Sequence, residues 1–115
     1  MRLRLTRRAR ADMAAVLKQS REQFGDDAQH RYERLLNNTM RDLAADPQRP
    51  GAREASGAAT GAWLYHSRHT SRRLPTPDRV ARPRHIVVYR VVGDVVRILR
   101  VLHDAMDLPE RLKDL

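Results

Sequence analysis

HIVVYRVVGDVVRILRVLH, residues His85 to His103, decides the fold of this chain. Two runs dense in β-branched residues flank Gly93-Asp94, a pair that supplies a tight turn, so the stretch predicts a β-hairpin. Both strands are apolar on both faces. One face is available to helices; the other, carrying Ile98 and Leu102 or Leu99 and Val101 under regular alternation, needs a separate cover. Either the segment Thr70 to Pro83 folds over it, or it is a partner surface rimmed by arginine.

Upstream, Ala62 to Arg68 (AWLYHSR) reads as a further strand, and Gly51 to Gly61 as a small, polar connection. Thr70 to Pro83 (TSRRLPTPDRVARP) is rich in arginine and proline and is expected to be a mobile basic loop. At the N-terminus Leu3 and Leu5 alternate with Arg2 and Arg4, a short strand signal. Thr6 offers an N-cap, and Met13, Val16, Leu17, Ser20 and Phe24 fall on one face of the helix it would open. Gly25 ends that helix. Asp26 and Asp27 begin a second, complementing its dipole. Ala28, Tyr32, Leu35, Leu36, Thr39 and Leu43 mark its buried stripe, and Asp46-Pro47 stops it. Two amphipathic helices joined so closely form an antiparallel hairpin. After His103 the chain offers either one helical turn following Pro109 or a loose tail. The expected class is α+β, in the order β-α-α-β-β-β, with the helical hairpin packed on a small, mostly antiparallel sheet. Residues 1–115 have room for a single domain.

The formal charge of +9 is unevenly distributed. Five arginines and no acid lie in residues 1–10, and nine arginines against Asp78 and Asp94 lie in residues 68–100. Such fields attract nucleic acid or an acidic protein, though a solvated surface is the alternative. The chain has no cysteine, so disulfides and thiolate metal sites are excluded and a reducing cytoplasm fits. A charged N-terminus predicts no signal peptide, and no apolar run approaches the ~20 residues of a membrane span. Paired carboxylates, a nucleophile with its base and a glycine-rich phosphate loop are not found, and no cofactor is expected. His66 and His69 are three apart in a basic segment without acids or cysteines beside them, so no metal site is expected there. Trp63 and Tyr65 on one strand read as core or edge residues.

Leu5 to Met13 (LTRRARADM), the Phe24-Gly25 break, Arg31-Tyr32, Arg84 to Arg90 (RHIVVYR) and Arg97 to Leu108 (RILRVLHDAMDL) together resemble the ParE branch of the RelE/ParE superfamily. The resemblance spans nearly the whole chain, and the ordered set ending in Val-Leu-His followed by Met-Asp-Leu is its most specific part. The segment Leu64 to Arg73 is longer and more basic than the usual connection. The resemblance implies the toxin half of a bacterial type II toxin–antitoxin pair, neutralised by an antitoxin encoded beside it whose C-terminal segment wraps the toxin. ParE-like toxins are associated with inhibition of DNA gyrase; RelE-like relatives of the same fold are ribosome-dependent mRNA endonucleases. Fold alone does not choose between them.

Cleavage at a 2′-hydroxyl needs a base, cations for the phosphate and an acid for the leaving oxygen. Arg90, Arg97 and Arg100 are available for phosphate, and His85 or His103 for titration near neutrality. Each histidine also has a plain reading: His85 at a strand edge, His103 bonding locally at a strand end. Past His103 the next arginine is Arg111 and there is no aromatic residue; Met106 and Leu108 stand where nucleases of the RelE branch place basic or aromatic groups. The expected reading is a toxin that is not an enzyme and has no catalytic residues. It contacts gyrase or its antitoxin through Arg90, Arg97, Arg100, His103, Met106 and Leu108. The alternative is an mRNA endoribonuclease using His103 or His85.

Overall fold

The computed structural model describes residues 1–55, 61–113 and 115. Its elements are β1 (Arg2–Leu5), α1 (Arg7–Phe24), α2 (Asp26–Ala45), β2 (Arg53–Glu54), β3 (Trp63–His66), α3 (Arg68–Ser71), β4 (His85–Val92), β5 (Val95–His103) and α4 (Leu108–Leu112), with a 3₁₀ turn at Thr76–Asp78. The strands form one sheet in the order β1-β5-β4-β3-β2. β1 lies parallel to β5, and the other pairs are antiparallel. The α+β architecture and the helical hairpin follow the sequence, and of the two readings of the C-terminal stretch the helical turn is the one formed, as α4; β2 and α3 were not expected. The edge strand β2 has only two residues and no apolar alternation, so nothing in its sequence marks it.

Thr6 caps α1 by accepting from the Ala9 N–H, and Gly25, at φ 92°, both ends α1 and begins α2. The hairpin between β4 and β5 turns on Gly93, whose φ of 62° is the left-handed conformation that a two-residue turn asks of glycine. Gly51 is constrained differently. It has a φ of 98°, and a Cβ there would stand 2.7 Å from the His69 ring.

Two apolar clusters sandwich the sheet. On the helix side Ala9, Leu36, Met40 and Leu43 meet Tyr65, Val87, Tyr89, Val96, Ile98 and Val101. On the far side Leu64, Ile86, Val88, Leu99 and Leu102 meet Leu112, with Leu108 and Leu115 packed against them. The sides therefore pair Ile98 with Val101 and Leu99 with Leu102, which regular alternation does not give. The reason is a bulge: Val88 faces Arg100 while Tyr89 faces Ile98, so β5 carries an extra residue there and its face changes.

The far side is not covered by the Thr70–Pro83 segment. The C-terminal helix α4 covers it, capped by Asp107 and carrying Pro109 in its first turn. The basic segment instead folds on itself: the Ser71 hydroxyl donates to the Val80 carbonyl and accepts from the Val80 N–H, both at 3.0 Å.

Because α4 is short, its hold on the sheet rests on few side chains. Leu112→Ala removes the most buried of them and should lower unfolding free energy by about 2–4 kcal/mol, measured by chemical denaturation. A change below about 0.5 kcal/mol would mean that α4 does not seal the far side.

Candidate functional site

The start of β4 and the end of β5 lie side by side, with His85 opposite His103. Tyr32 of α2 reaches this corner from the helix layer. The Arg84 backbone N–H donates to the Tyr32 oxygen at 3.1 Å, and the Tyr32 hydroxyl lies 2.5 Å from His85 Nδ1. A tyrosine oxygen that accepts from Arg84 has its one proton for His85 Nδ1, which leaves the imidazole hydrogen on Nε2. The His85 ring packs edge-on to both Tyr32 and His103, with centroids 5.4 and 5.3 Å apart. Burial, and then the nearby His103, push the His85 pKa down to about 4, so at neutral pH this ring is uncharged. Burial also raises the Tyr32 pKa.

His103 is more open. Its Nδ1 accepts from the Ala105 N–H at 3.0 Å, which is the local strand-end bond its position suggests. Next to it, Asp104 accepts from His66 Nε2 at 3.0 Å and from Arg84 Nε at 2.9 Å. Burial acts to raise the Asp104 pKa, but these two donors outweigh it and hold the carboxyl below its ordinary range. His66 Nδ1 accepts from the Arg68 N–H, so both of its nitrogens are in use.

Two concavities open here. A cleft of about 310 Å³ is lined by Val16, Phe24, Tyr32, Val80, His85 and His103 among others. Phe24, expected on the buried face of α1, is 73% exposed at the rim, because the last turn of α1 overhangs the sheet. A larger basin of about 520 Å³ adjoins the cleft and is lined by Arg68, Arg72, Arg79, Arg82 and Arg84, with Asp104 as its one carboxylate. The sequence marked these arginines only as a charged loop, since nothing in their spacing says that they converge.

The site residues expected from sequence do not form one group. Arg90 and Arg97 face each other near the Gly93 turn, whereas His85 and His103 are at the opposite end of the same strands. Six residues of strand separate Arg97 from His103, about 20 Å. Arg100 lies between them and is held by Asp12 of α1 through Nε at 2.7 Å and Nη2 at 3.0 Å. Its side chain is 12% exposed, so its guanidinium is part of the helix–sheet contact. Leu108 packs on the far-side cluster, and Met106 remains 39% exposed. His69 packs against the Tyr65 ring, with centroids 5.4 Å apart.

A helical hairpin on a small mixed sheet is the build of a RelE/ParE-type toxin. The chain belongs to the ParE toxin family of type II toxin–antitoxin systems, whose model matches residues 3–108. The fold is similar to that of the chromosomal ParDE system from P. aeruginosa, with a TM-score of 0.67 at 19% identity, over 90% of this chain and 95% of that one. It is similar also to the YoeB/ParE toxin from Agrobacterium tumefaciens, with a TM-score of 0.59 at 18% identity, over 90% and 98%. The YoeB–YefM complex from Staphylococcus aureus gives 0.56 at 12% identity, over 90% and 95%. No curated protein sequence matches the chain.

His85 makes stability depend on pH. Its folded pKa of about 4 is below the unfolded value of 6.5, so the stabilising neutral form is complete above pH 6.5. Stability is then lost as pH falls through the window from 6.5 to about 4, by up to about 3 kcal/mol. His85→Gln should flatten that part of a plot of melting temperature against pH. An unchanged slope would place the titrating group elsewhere.

Proposed function

We propose that this chain is the toxin of a type II pair, that it acts in the bacterial cytoplasm by binding DNA gyrase, and that it is not an enzyme. The observation that carries this reading is the ParE family match across residues 3–108. The target itself comes from the family resemblance. The geometry of the corner agrees with it: His85 is buried and neutral, and the Nδ1 of His103 is committed to Ala105. The chain after Asp104 forms a core cover, bringing no arginine or aromatic ring to the histidines. In this reading an antitoxin encoded alongside neutralises the toxin in a hetero-oligomeric complex. Arg90, Arg97, His103 and Met106 supply contacts to the target or antitoxin. Arg100 and Leu108 act through the fold, Arg100 by its ion pair and Leu108 by its packing.

A second reading, an mRNA endoribonuclease, is favoured by one observation: His85, His103, Tyr32, Arg82 and Arg84 line the same cleft. There His103 would be the general acid or base and the arginines would hold phosphate.

The two readings separate when the chain is expressed alone in bacteria and incorporation of labelled thymidine and methionine is followed over the first minutes. The gyrase reading expects DNA synthesis to stop first, purified toxin to block supercoiling, and transcripts to remain uncut. It also expects R90E combined with R97E to abolish toxicity in a chain that still folds. Protein synthesis stopping first, with toxicity lost in His103→Ala, would establish the nuclease instead.

A further inference from the structure

The arginine basin is built from three separate parts of the chain. Arg68 and Arg72 come from α3 and its C-cap, Arg79 and Arg82 follow the 3₁₀ turn, and Arg84 precedes β4. The loop between them is fixed by the two Ser71–Val80 bonds and by Arg79 Nε donating to the Leu74 carbonyl at 2.7 Å. Pro75, Pro77 and Pro83 restrict it further. The one carboxylate in the wall, Asp104, is already occupied by His66 and Arg84. Among the described residues the side chains of Arg68, Arg72 and Arg82 have no hydrogen-bond or ion-pair partner. Three arginines that pack on the fold have acids: Arg49 and Arg73 share Asp42, and Arg100 has Asp12. Five arginines converging on a wall whose one carboxylate is already taken repel one another, so the basin suits an anion the chain itself does not supply.

We propose that this basin binds the di- or triphosphate chain of a nucleotide, with the base seated in the adjoining apolar cleft. The charge argues for a phosphate chain. Five arginines against one carboxylate leave an excess near +4 in a space of about 520 Å³. A phosphodiester strand carries one charge per phosphate and spaces its phosphates along a line, which calls for a track of cations. A nucleoside triphosphate instead concentrates three to four negative charges at one point, and guanidinium forks suit phosphate oxygens. The neighbouring cleft supports the second half of the proposal. It shares Val80, Arg82 and Arg84 with the basin, so the two lie side by side. Phe24, Tyr32 and His103 give it aromatic surface, and Gln19 and Gln23 bring amide groups able to pair with a base edge. The site is independent of whether gyrase is the toxin's target.

The test is calorimetric titration of the purified chain with ATP, AMP and tripolyphosphate at fixed ionic strength. ATP should bind at least tenfold more tightly than AMP, with tripolyphosphate between them. R72A combined with R82A should weaken ATP binding tenfold or more. R7A combined with R8A, which removes the same charge from α1, should change it less than twofold. F24A should weaken ATP while leaving tripolyphosphate unchanged. Thermal melts establish that each variant folds, and R68A supplies a further basin variant should the double one not fold. Equal losses in the two arginine pairs would overturn the proposal in favour of diffuse charge. A single-stranded oligonucleotide binding more tightly than ATP, with the same dependence on Arg72 and Arg82, would overturn it in favour of a strand. Failure of ATP to bind would overturn it outright.

Discussion

The carboxylate of Asp12 holds the fold at the one place where its pattern breaks. Asp12 Oδ2 accepts from both Arg100 Nε at 2.7 Å and the Val101 N–H at 2.9 Å, and Oδ1 takes Arg100 Nη2 at 3.0 Å. These residues are the bulged part of β5, where the ladder to β4 slips by one residue. A bulge leaves a backbone group without its ladder partner, and an unpaired buried N–H costs about 1–3 kcal/mol. Nearly two turns earlier, the Thr6 hydroxyl donates to the Leu99 carbonyl while it caps α1. The first two turns of α1 thus supply what the bulge lacks, and Arg100 neutralises the carboxylate that does so.

The rest of the sheet depends on that slip. Before it, Val96 and Ile98 face the helices; after it, Val101 does, and Leu99 and Leu102 turn to the far side. Without the bulge the two faces would exchange residues halfway along the strand. The far-side leucines give α4 a surface to cover through Leu108 and Leu112, and the helix-side residues give α1 and α2 theirs. Arg100 is not a surface cation because Asp12 of α1 takes its guanidinium, a partner 88 residues away that nothing in the sequence joins to it.

What was legible in the sequence follows from what is periodic. The caps at Thr6 and Gly25, the stripe from Ala28 to Leu43 and the turn at Gly93 each rest on a local rule, and the helices and hairpin formed accordingly. β2 and α4 are too short to show a period, and each owes its form to what it packs against. Phe24 kept the helical period but passed the edge of the sheet, so its face met solvent instead of core. The candidate site was legible only in part. His85 and His103 could be paired once the hairpin was predicted, since they stand at equivalent ends of its strands. Tyr32 completes that corner from 53 residues away, and no sequence signal joins it to His85.

The same geometry accounts for where chemistry remains possible on so small a domain. With helices on one side of the sheet and α4 on the other, the open surface is at the strand ends. One end is the Gly93 turn, where only Arg90 and Arg97 among the candidates lie. The other gathers four elements at once: the overhang of α1, the Tyr32 turn of α2, the basic segment after β3, and the β4–β5 corner. Asp42, Asp12 and Asp104 are each taken up by structural partners. The negative charge near the sheet is therefore committed to holding the fold, and positive charge is left at both ends: Arg2 and Arg4 lie beside Arg97 and Arg90 near the Gly93 turn, and the basin arginines lie at the other end. What sets the second end apart is that its arginines stand beside Tyr32, His85 and His103, joined through His85, so imidazole and phenol groups meet the positive field there and not at the turn.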